Sequence, residues 1–136
     1  AQDTSFNRSA NSNELSVQAQ AQMVAVTFYI TVPANTDGSG RTVHIAGSFT
    51  PPYPQWDRAS NAANRVDATH WTIALNLPDG TQVDYKYALG DWNYVEKGAS
   101  CDELGNRSLV VVYGPGGTQT VNDTVLNWRN VSPCGN

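Results

Sequence analysis

From Val24 to Val32 the apolar side chains fall on every second residue. Val24, Val26, Phe28, Ile30 and Val32 alternate with Ala25, Thr27, Tyr29 and Thr31. A period of two sends successive side chains to opposite faces of a pleated strand, so this stretch predicts a strand with one buried face. The preceding segment also alternates, with Leu15, Val17, Ala19 and Ala21 against Ser16, Gln18, Gln20 and Gln22, but its phase breaks at Met23. Such a break marks a bulge, a bend or two strands. The pattern reads as a weak strand over 14–22 and a strong one over 23–32. Residues 1–13 are polar and carry no period.

Further along, Pro33 to Gly40 is rich in turn residues. Val43 and Ile45 point inward on a short strand over 42–47, and Ser48 to Ala68 is a long connection without period. His70 to Leu77 places Trp71, Ile73, Leu75 and Leu77 on one face. Pro78-Asp79-Gly80 turns the chain into a strand whose odd residues, Val83, Tyr85, Tyr87 and Leu89, oppose Asp84, Lys86 and Ala88. Gly90-Asp91 predicts a hairpin turn, with Trp92 to Val95 as the returning strand. Lys97 to Asn106 reads as a polar loop, and 108–113 as an apolar, β-branched strand. Gly114-Pro115-Gly116-Gly117 is a turn with no P-loop lysine behind it. The segment 118–128 closes the pattern, with Val121, Val125 and Trp128 as core candidates. Seven or eight short strands separated by turn residues predict an all-β, immunoglobulin-like antiparallel sandwich. No internal repeat is present.

Composition narrows the function. The chain has 136 residues, 40% of them hydrophobic and 15% charged, enough for one domain with a real core. A net charge of −4 without a basic patch argues against a nucleic-acid partner. No apolar run is long enough for a membrane span. The chain opens at Ala1-Gln2, as it would after removal of a signal peptide or after trimming. Cys101 and Cys134 form no CxxC or Cys/His cluster, so neither a metal site nor a cofactor is expected. In an exported protein the two would form one disulfide between a loop and the C-terminal tail; otherwise they are two unrelated thiols. Asn7, Asn106, Asn122 and Asn130 each begin an Asn-x-Ser/Thr sequon, a glycosylation candidate only where the source organism uses it.

The stretch Val83 to Lys97 looks most like a site. Lys86 points away from the Tyr85/Tyr87 face, and Trp92 lies just past the hairpin tip. Trp56 sits in a Pro- and Tyr-rich loop that folding could bring alongside. Two indoles and a lysine suit a flat amphipathic ligand such as a sugar: the rings pack on its C–H face and the polar groups bind hydroxyls. Tyr85, Tyr87, Trp71 and Trp128 read as core. Asp91, Glu96, Asp102 and Glu103 cluster in sequence, but on hairpins and loops, where solvated charge is the default rather than the opposed carboxylate pair of a glycosidase. His44 and His70 have no nucleophile or metal partner at motif spacing.

Several segments carry a family resemblance. VTFYITV (26–32), VHIAGSF (43–49), PQW (54–56), HWTIALNLPDGTQVDYKY (70–87), GNRSL (105–109) and TVNDTVLNWR (120–129) occur in order. Together they resemble the starch-binding domains of carbohydrate-binding module family 20 and the related glycogen-binding domains of AMP-activated kinase β subunits. Segment 70–87 is the most specific piece. The resemblance implies a non-catalytic, α-glucan-binding sandwich whose sugar site maps onto Trp56, Lys86 and Trp92, with Tyr94, Glu96 and Asn106 as polar neighbours. In many starch-binding members the second tryptophan directly precedes the glutamate; this chain has Val95 there. Tyr53 is the one candidate for the family's second site. Residues 1–22 and the tail after Arg129 lie outside the resemblance.

The sequence thus predicts an extension (1–22), a sandwich domain (23–129) and a disulfide-tied tail (130–136). Its expected function is extracellular α-glucan binding without catalysis, free-standing or within a larger amylase-like enzyme. The alternative is a self-assembling filament subunit that donates residues 14–22 as a strand to the open edge of the next copy.

Overall fold

The computed structural model describes residues 22–50 and 52–135. The expected strand over 14–22 and its donation to a neighbour therefore lie outside the described residues, apart from Gln22.

The alternating segments become strands in the predicted phase. β1 (Met23–Thr31) buries Val24, Val26, Phe28 and Ile30. It lies antiparallel to β4 (His70–Pro78), which buries Trp71, Ile73, Leu75 and Leu77. β3 (Asn64–Asp67) flanks β4, and β8 (Thr118–Thr124) flanks β1, giving one sheet in the order β3-β4-β1-β8. The second sheet runs β2-β5-β7, with β2 at His44–Gly47, β5 at Gln82–Ala88 and β7 at Arg107–Val110. β6 (Glu96–Lys97) pairs with β9 (Asn127–Trp128) as a short third ribbon. The chain is an all-β sandwich, and its core is the set of inward residues contributed by both large sheets.

Four features depart from the sequence reading. β8 runs parallel to β1 rather than antiparallel. Trp92–Tyr94 form a 3-10 turn instead of a returning strand, capped by Asp91, whose Oδ1 accepts the Asn93 N–H at 2.8 Å. A short helix, α1 (Asn35–Gly38), occupies the first turn region. The long connection 48–68 contains β3, all four of whose residues are exposed; it is held by pairing with the start of β4 rather than by an apolar face.

Close packing explains the glycine of the VHIAGSF segment. A Cβ on Gly47 would stand 2.5 Å from the Asp84 carbonyl oxygen and 2.8 Å from the Tyr85 Cβ, so β2 and β5 meet only with hydrogen there. Trp128 is fully buried, and its indole N–H donates to Thr36 Oγ1 at 2.8 Å, which ties β9 to α1. Cys101 and Cys134 are joined in a disulfide with Cα atoms 5.3 Å apart, linking the 98–103 loop to the tail.

Candidate functional site

Alternation along β5 decides which of its side chains can meet a ligand. Tyr85 and Tyr87 are buried, while Lys86, half-buried, points to the opposite face. Lys86 stands opposite Ala46 on β2. On the other side, Tyr85 stands opposite Arg107, the last pair of that ladder, and Asn106 beyond it is exposed.

Trp56 reaches this sheet through the backbone. Its N–H donates to the Gly47 carbonyl at 2.8 Å, one residue along β2 from Ala46. Trp56 holds φ at +54°, the left-handed region that bulky residues rarely occupy. Its side chain remains half-buried. Asp57, next in the chain, accepts from the Ala59 N–H and the Ser60 hydroxyl, which set the loop's curvature. These bonds hold the Asp57 carboxyl below its usual range; the Ser60 bond contributes most.

Trp92 arrives from the opposite direction. β5 ends at Ala88, which bridges to Val95, and Gly90 takes φ +83° to reverse the chain. A Cβ on Gly90 would lie 3.4 Å from the His44 ring, so the hairpin tip sits against β2. His44 also bridges to Ala62 on the far side of the Trp56 loop. His44 is therefore the spacer between the Trp56 loop and the Trp92 turn, a role its sequence context did not suggest. Trp56 is thus tied to the Gly47 end of β2 and the Trp92 turn lies beyond its His44 end, with Lys86 opposite Ala46 on the strand between them.

Two of the expected polar neighbours are engaged elsewhere. Glu96 is 1% exposed. It accepts the Tyr87 N–H at 3.0 Å and two Arg107 donors, Nε at 3.0 Å and Nη2 at 2.7 Å. It fills the gap in the ladder where β7 stops and β6 begins, so it belongs to the interior and not to a sugar-facing surface. Tyr94 packs against the core on one side, and Arg41 covers its ring with the guanidinium carbon 3.7 Å from the ring centre. Tyr53 donates no face either: its hydroxyl accepts the Asn76 N–H at 2.8 Å and seals the free edge of β4.

The Glu96–Arg107 pair extends to Asp123 on β8. Asp123 Oδ2 accepts both tyrosine hydroxyls, Tyr85 at 2.7 Å and Tyr87 at 2.8 Å, and Arg107 Nη1 lies 3.5 Å from Oδ1. Burial, then the Asp123 charge and hydrogen bond, push both tyrosine pKa values well above the ordinary range. Burial opposes the Arg107 charge, but the Glu96 hydrogen bond and the two carboxylate charges outweigh it and raise the Arg107 pKa. The network closes the open side of the sandwich between β7 and β8. Gln119 helps, accepting the Val112 N–H at 2.9 Å and donating to the Val110 carbonyl at 3.2 Å. The sequence held a signal for Asp123, because it shares strand parity with the core candidate Val121.

The remaining carboxylates have local tasks. Asp91 caps the 92–94 turn, Asp102 accepts the Ser100 N–H at 3.2 Å, and Glu103 pairs with Lys97 at 2.5 Å. Among the described residues, no group of three His, Cys, Asp or Glu side chains could hold a metal ion, and no helix is long and apolar enough to cross a membrane. Of the sequon asparagines, Asn106, Asn122 and Asn130 are exposed; Asn7 lies outside the described residues.

No family model matches the chain. It is 41% identical over 129 residues to an amylopullulanase of Thermoanaerobacter thermohydrosulfuricus, covering 95% of this chain and 8% of that protein. It is 36% identical over 130 residues to the amylopullulanase of Thermoanaerobacterium thermosulfurigenes, covering 95% and 7%. An alpha-amylase of Niallia circulans is 34% identical over 116 residues, covering 84% and 8%. The chain thus spans less than a tenth of the length of these curated relatives. Its homologues are short segments of amylolytic enzymes. Among solved structures, the Hypocrea jecorina family 15 glucoamylase superposes with a TM-score of 0.56 at 23% identity over 81% of this chain and 18% of that one. The Hormoconis resinae glucoamylase gives 0.52 at 21%, over 79% and 18%. At these identities the likeness speaks for the fold.

Proposed function

We propose that this domain is a non-catalytic carbohydrate-binding module that docks α-glucan chains on Trp56 and Trp92, with Lys86 and Asn106 binding hydroxyls between or beside them. The observation that carries this reading is the attachment of two half-buried tryptophans at the two ends of β2, with Lys86 opposite Ala46 between them. One is held in a left-handed loop conformation by the Gly47 carbonyl, the other on a capped turn braced against His44. A bulky residue in that conformation costs on the order of 1–3 kcal/mol and persists where the surroundings over-determine it, a pattern that clusters at ligand sites. Indoles fixed before binding lose little entropy on binding, and each offers a flat apolar face to the C–H side of a glucose ring.

Homology to short segments of amylopullulanases and an alpha-amylase supports both the glucan and the accessory role. The finer assignment, to carbohydrate-binding module family 20, rests on the motif order read in the sequence. The absence of catalysis is supported by the carboxylates of the hairpin and the following loop, each already committed to a cap, a loop bond or an ion pair. Homology to amylolytic enzymes, together with the Cys101–Cys134 disulfide, also favours an oxidising, extracellular setting.

Calorimetric titration of the full chain with maltoheptaose and with β-cyclodextrin tests the reading. Saturable binding that weakens in both Trp56→Ala and Trp92→Ala is the expected result. Absence of heat at millimolar sugar, with a folded domain, overturns it.

A further inference from the structure

His44 is the one polar side chain of β2, and half of its ring's hydrogen-bonding capacity is unused. Alternation sets His44 and Ala46 on one face, where they stand opposite Ala88 and Lys86 of β5. Lys86 is therefore the diagonal neighbour of His44, a spacing within reach of long side chains. Ala62 bridges to His44 on one flank, and on another a Cβ added to Gly90 would lie 3.4 Å from its Cε1. His44 Nδ1 stands 2.8 Å from the Thr42 carbonyl oxygen. A carbonyl only accepts, so the proton of the neutral ring sits on Nδ1 and Nε2 is left as an acceptor. The ring is half-buried, and among the described residues no side chain or backbone group bonds Nε2.

The rest of the proposed sugar face is short of acceptors. A lysine ammonium only donates, and so does an indole N–H. Ala46 has no polar side-chain group. The nearby acids are engaged: Asp57 with the Ala59 N–H and the Ser60 hydroxyl, Asp91 with the Asn93 N–H, and Glu96 in the interior with Tyr87 and Arg107. A glucan hydroxyl donates as well as accepts, and one that finds no acceptor forfeits the bond it made with water. Asn106 carries an acceptor past the end of the β5–β7 ladder, whereas His44 Nε2 lies on the β2 side of β5. A groove of about 530 Å³ beside Tyr94, walled by the disulfide-tied tail, contains neither His44, Lys86 nor either tryptophan and is no part of this surface.

We propose that His44 contacts the bound glucan, its Nε2 accepting a sugar hydroxyl beside Lys86, and that this contact makes binding sensitive to pH. The role rests on the reading of the domain as a glucan binder and supplies the acceptor that Trp56, Lys86 and Trp92 lack. Histidine is the side chain whose charge ordinarily changes between about pH 5 and 8. A proton on Nε2 turns the acceptor into a donor and sets a cation diagonal to Lys86. The charged groups around the ring are Lys86 from β5, Asp57 and Arg58 from the loop after Trp56, Asp91 from the Trp92 turn, and Arg41 ahead of β2, which lies on the Tyr94 ring. The Ser60 bond above all holds the Asp57 carboxyl below its usual range, so it stays ionised while the imidazole titrates. Ordinary carboxylates also ionise below that window. Glucan binding is therefore strongest with His44 neutral and weakens as the pH falls through the window.

Calorimetric titration of the full chain with maltoheptaose at about pH 8 and about pH 5 tests this. Wild type should bind roughly three- to ten-fold more weakly at the lower pH, the change that one lost hydrogen bond implies. His44→Gln keeps a side-chain acceptor and cannot titrate, so it should bind alike at both. His44→Phe keeps a ring between Ala62 and Gly90 without an acceptor, and should bind at both as weakly as the protonated wild type. His70→Asn, on the other sheet, should leave the pH response intact. In the unmutated chain at about pH 8, NMR should show the His44 Nε2 resonance shifting on addition of sugar. Equal wild-type affinity at the two pH values, or a His44→Phe variant that matches wild type at the higher one, overturns the contact and leaves the tryptophan face standing. A pH response that survives in His44→Phe assigns it to another group and overturns the contact as well. Absence of binding at either pH, with a folded domain, removes the tryptophan face and the His44 contact together.

Discussion

The four tryptophans divide into two pairs used in opposite ways. Trp71 and Trp128 lie on strands and are 6% and 0% exposed; Trp56 and Trp92 lie on a loop and a turn and stay half-buried. The difference is one of backbone, not of side chain. A strand sends alternate residues into the core whatever their chemistry, so an indole at the inward parity is buried and its area contributes to stability. A residue outside the alternation is placed by whatever fixes its backbone: the Gly47 carbonyl for Trp56, and the Asp91 cap of its turn for Trp92. The core pair should therefore govern folding and the surface pair binding, and substitutions can break that division.

The largest effects are expected inside. Glu96→Ala leaves the Tyr87 N–H without its acceptor and Arg107 with only Asp123 and the Thr124 carbonyl, and removal of one partner of a buried pair costs about 3–5 kcal/mol. Denaturant unfolding should show this directly, and a midpoint close to wild type would mean that the network is dispensable. Trp128→Ala leaves a cavity and orphans the Thr36 hydroxyl. It should cost about 3–5 kcal/mol by the same measurement, with sugar affinity unchanged in whatever fraction remains folded.

High pH attacks the same network. Tyr85 and Tyr87 have folded pKa values above that of a free tyrosine, so the unfolded chain loses their protons first. Their contribution to stability is complete below about pH 10 and declines as the pH rises beyond it. Tyrosinate absorbance should show these two ionising together with loss of structure, after the exposed tyrosines. Replacing both by Phe should remove that coupling.

Smaller effects belong to the surface. Trp56→Ala and Trp92→Ala should each cost about 1–3 kcal/mol of sugar binding, by analogy with stacking of bases on aromatics. Their unfolding midpoints should move little; a steep fall in either would transfer that tryptophan to the core group. Smallest of all, Tyr53→Phe removes the acceptor of the Asn76 N–H at a sheet edge and should cost about 1 kcal/mol of stability, with no change in binding.

Much of this molecule follows from local pattern. Alternation placed β1, β4 and β5, assigned Tyr85, Tyr87 and Trp71 to the core, and turned Lys86 outward, because side-chain direction in a strand depends only on parity once one face is buried. The order of the motifs pointed to the same sandwich. Other outcomes depend on contacts between residues distant in sequence. Glu96 read as a surface carboxylate because the arginine that buries it comes from β7 and the N–H it satisfies from β5. β3 has four exposed residues and no apolar period, so only its pairing with β4 makes it a strand. The chain direction of β8, parallel to β1, is invisible to a periodicity that reads the same both ways. The placement of Trp56 and of the Trp92 turn about β2 needed contacts to Gly47 and His44, and the groove beside Tyr94 needed a tail pinned by a disulfide. Periodicity reports which face a residue takes within its own element, whereas a site joins several elements, and only the packed chain decides which of them meet.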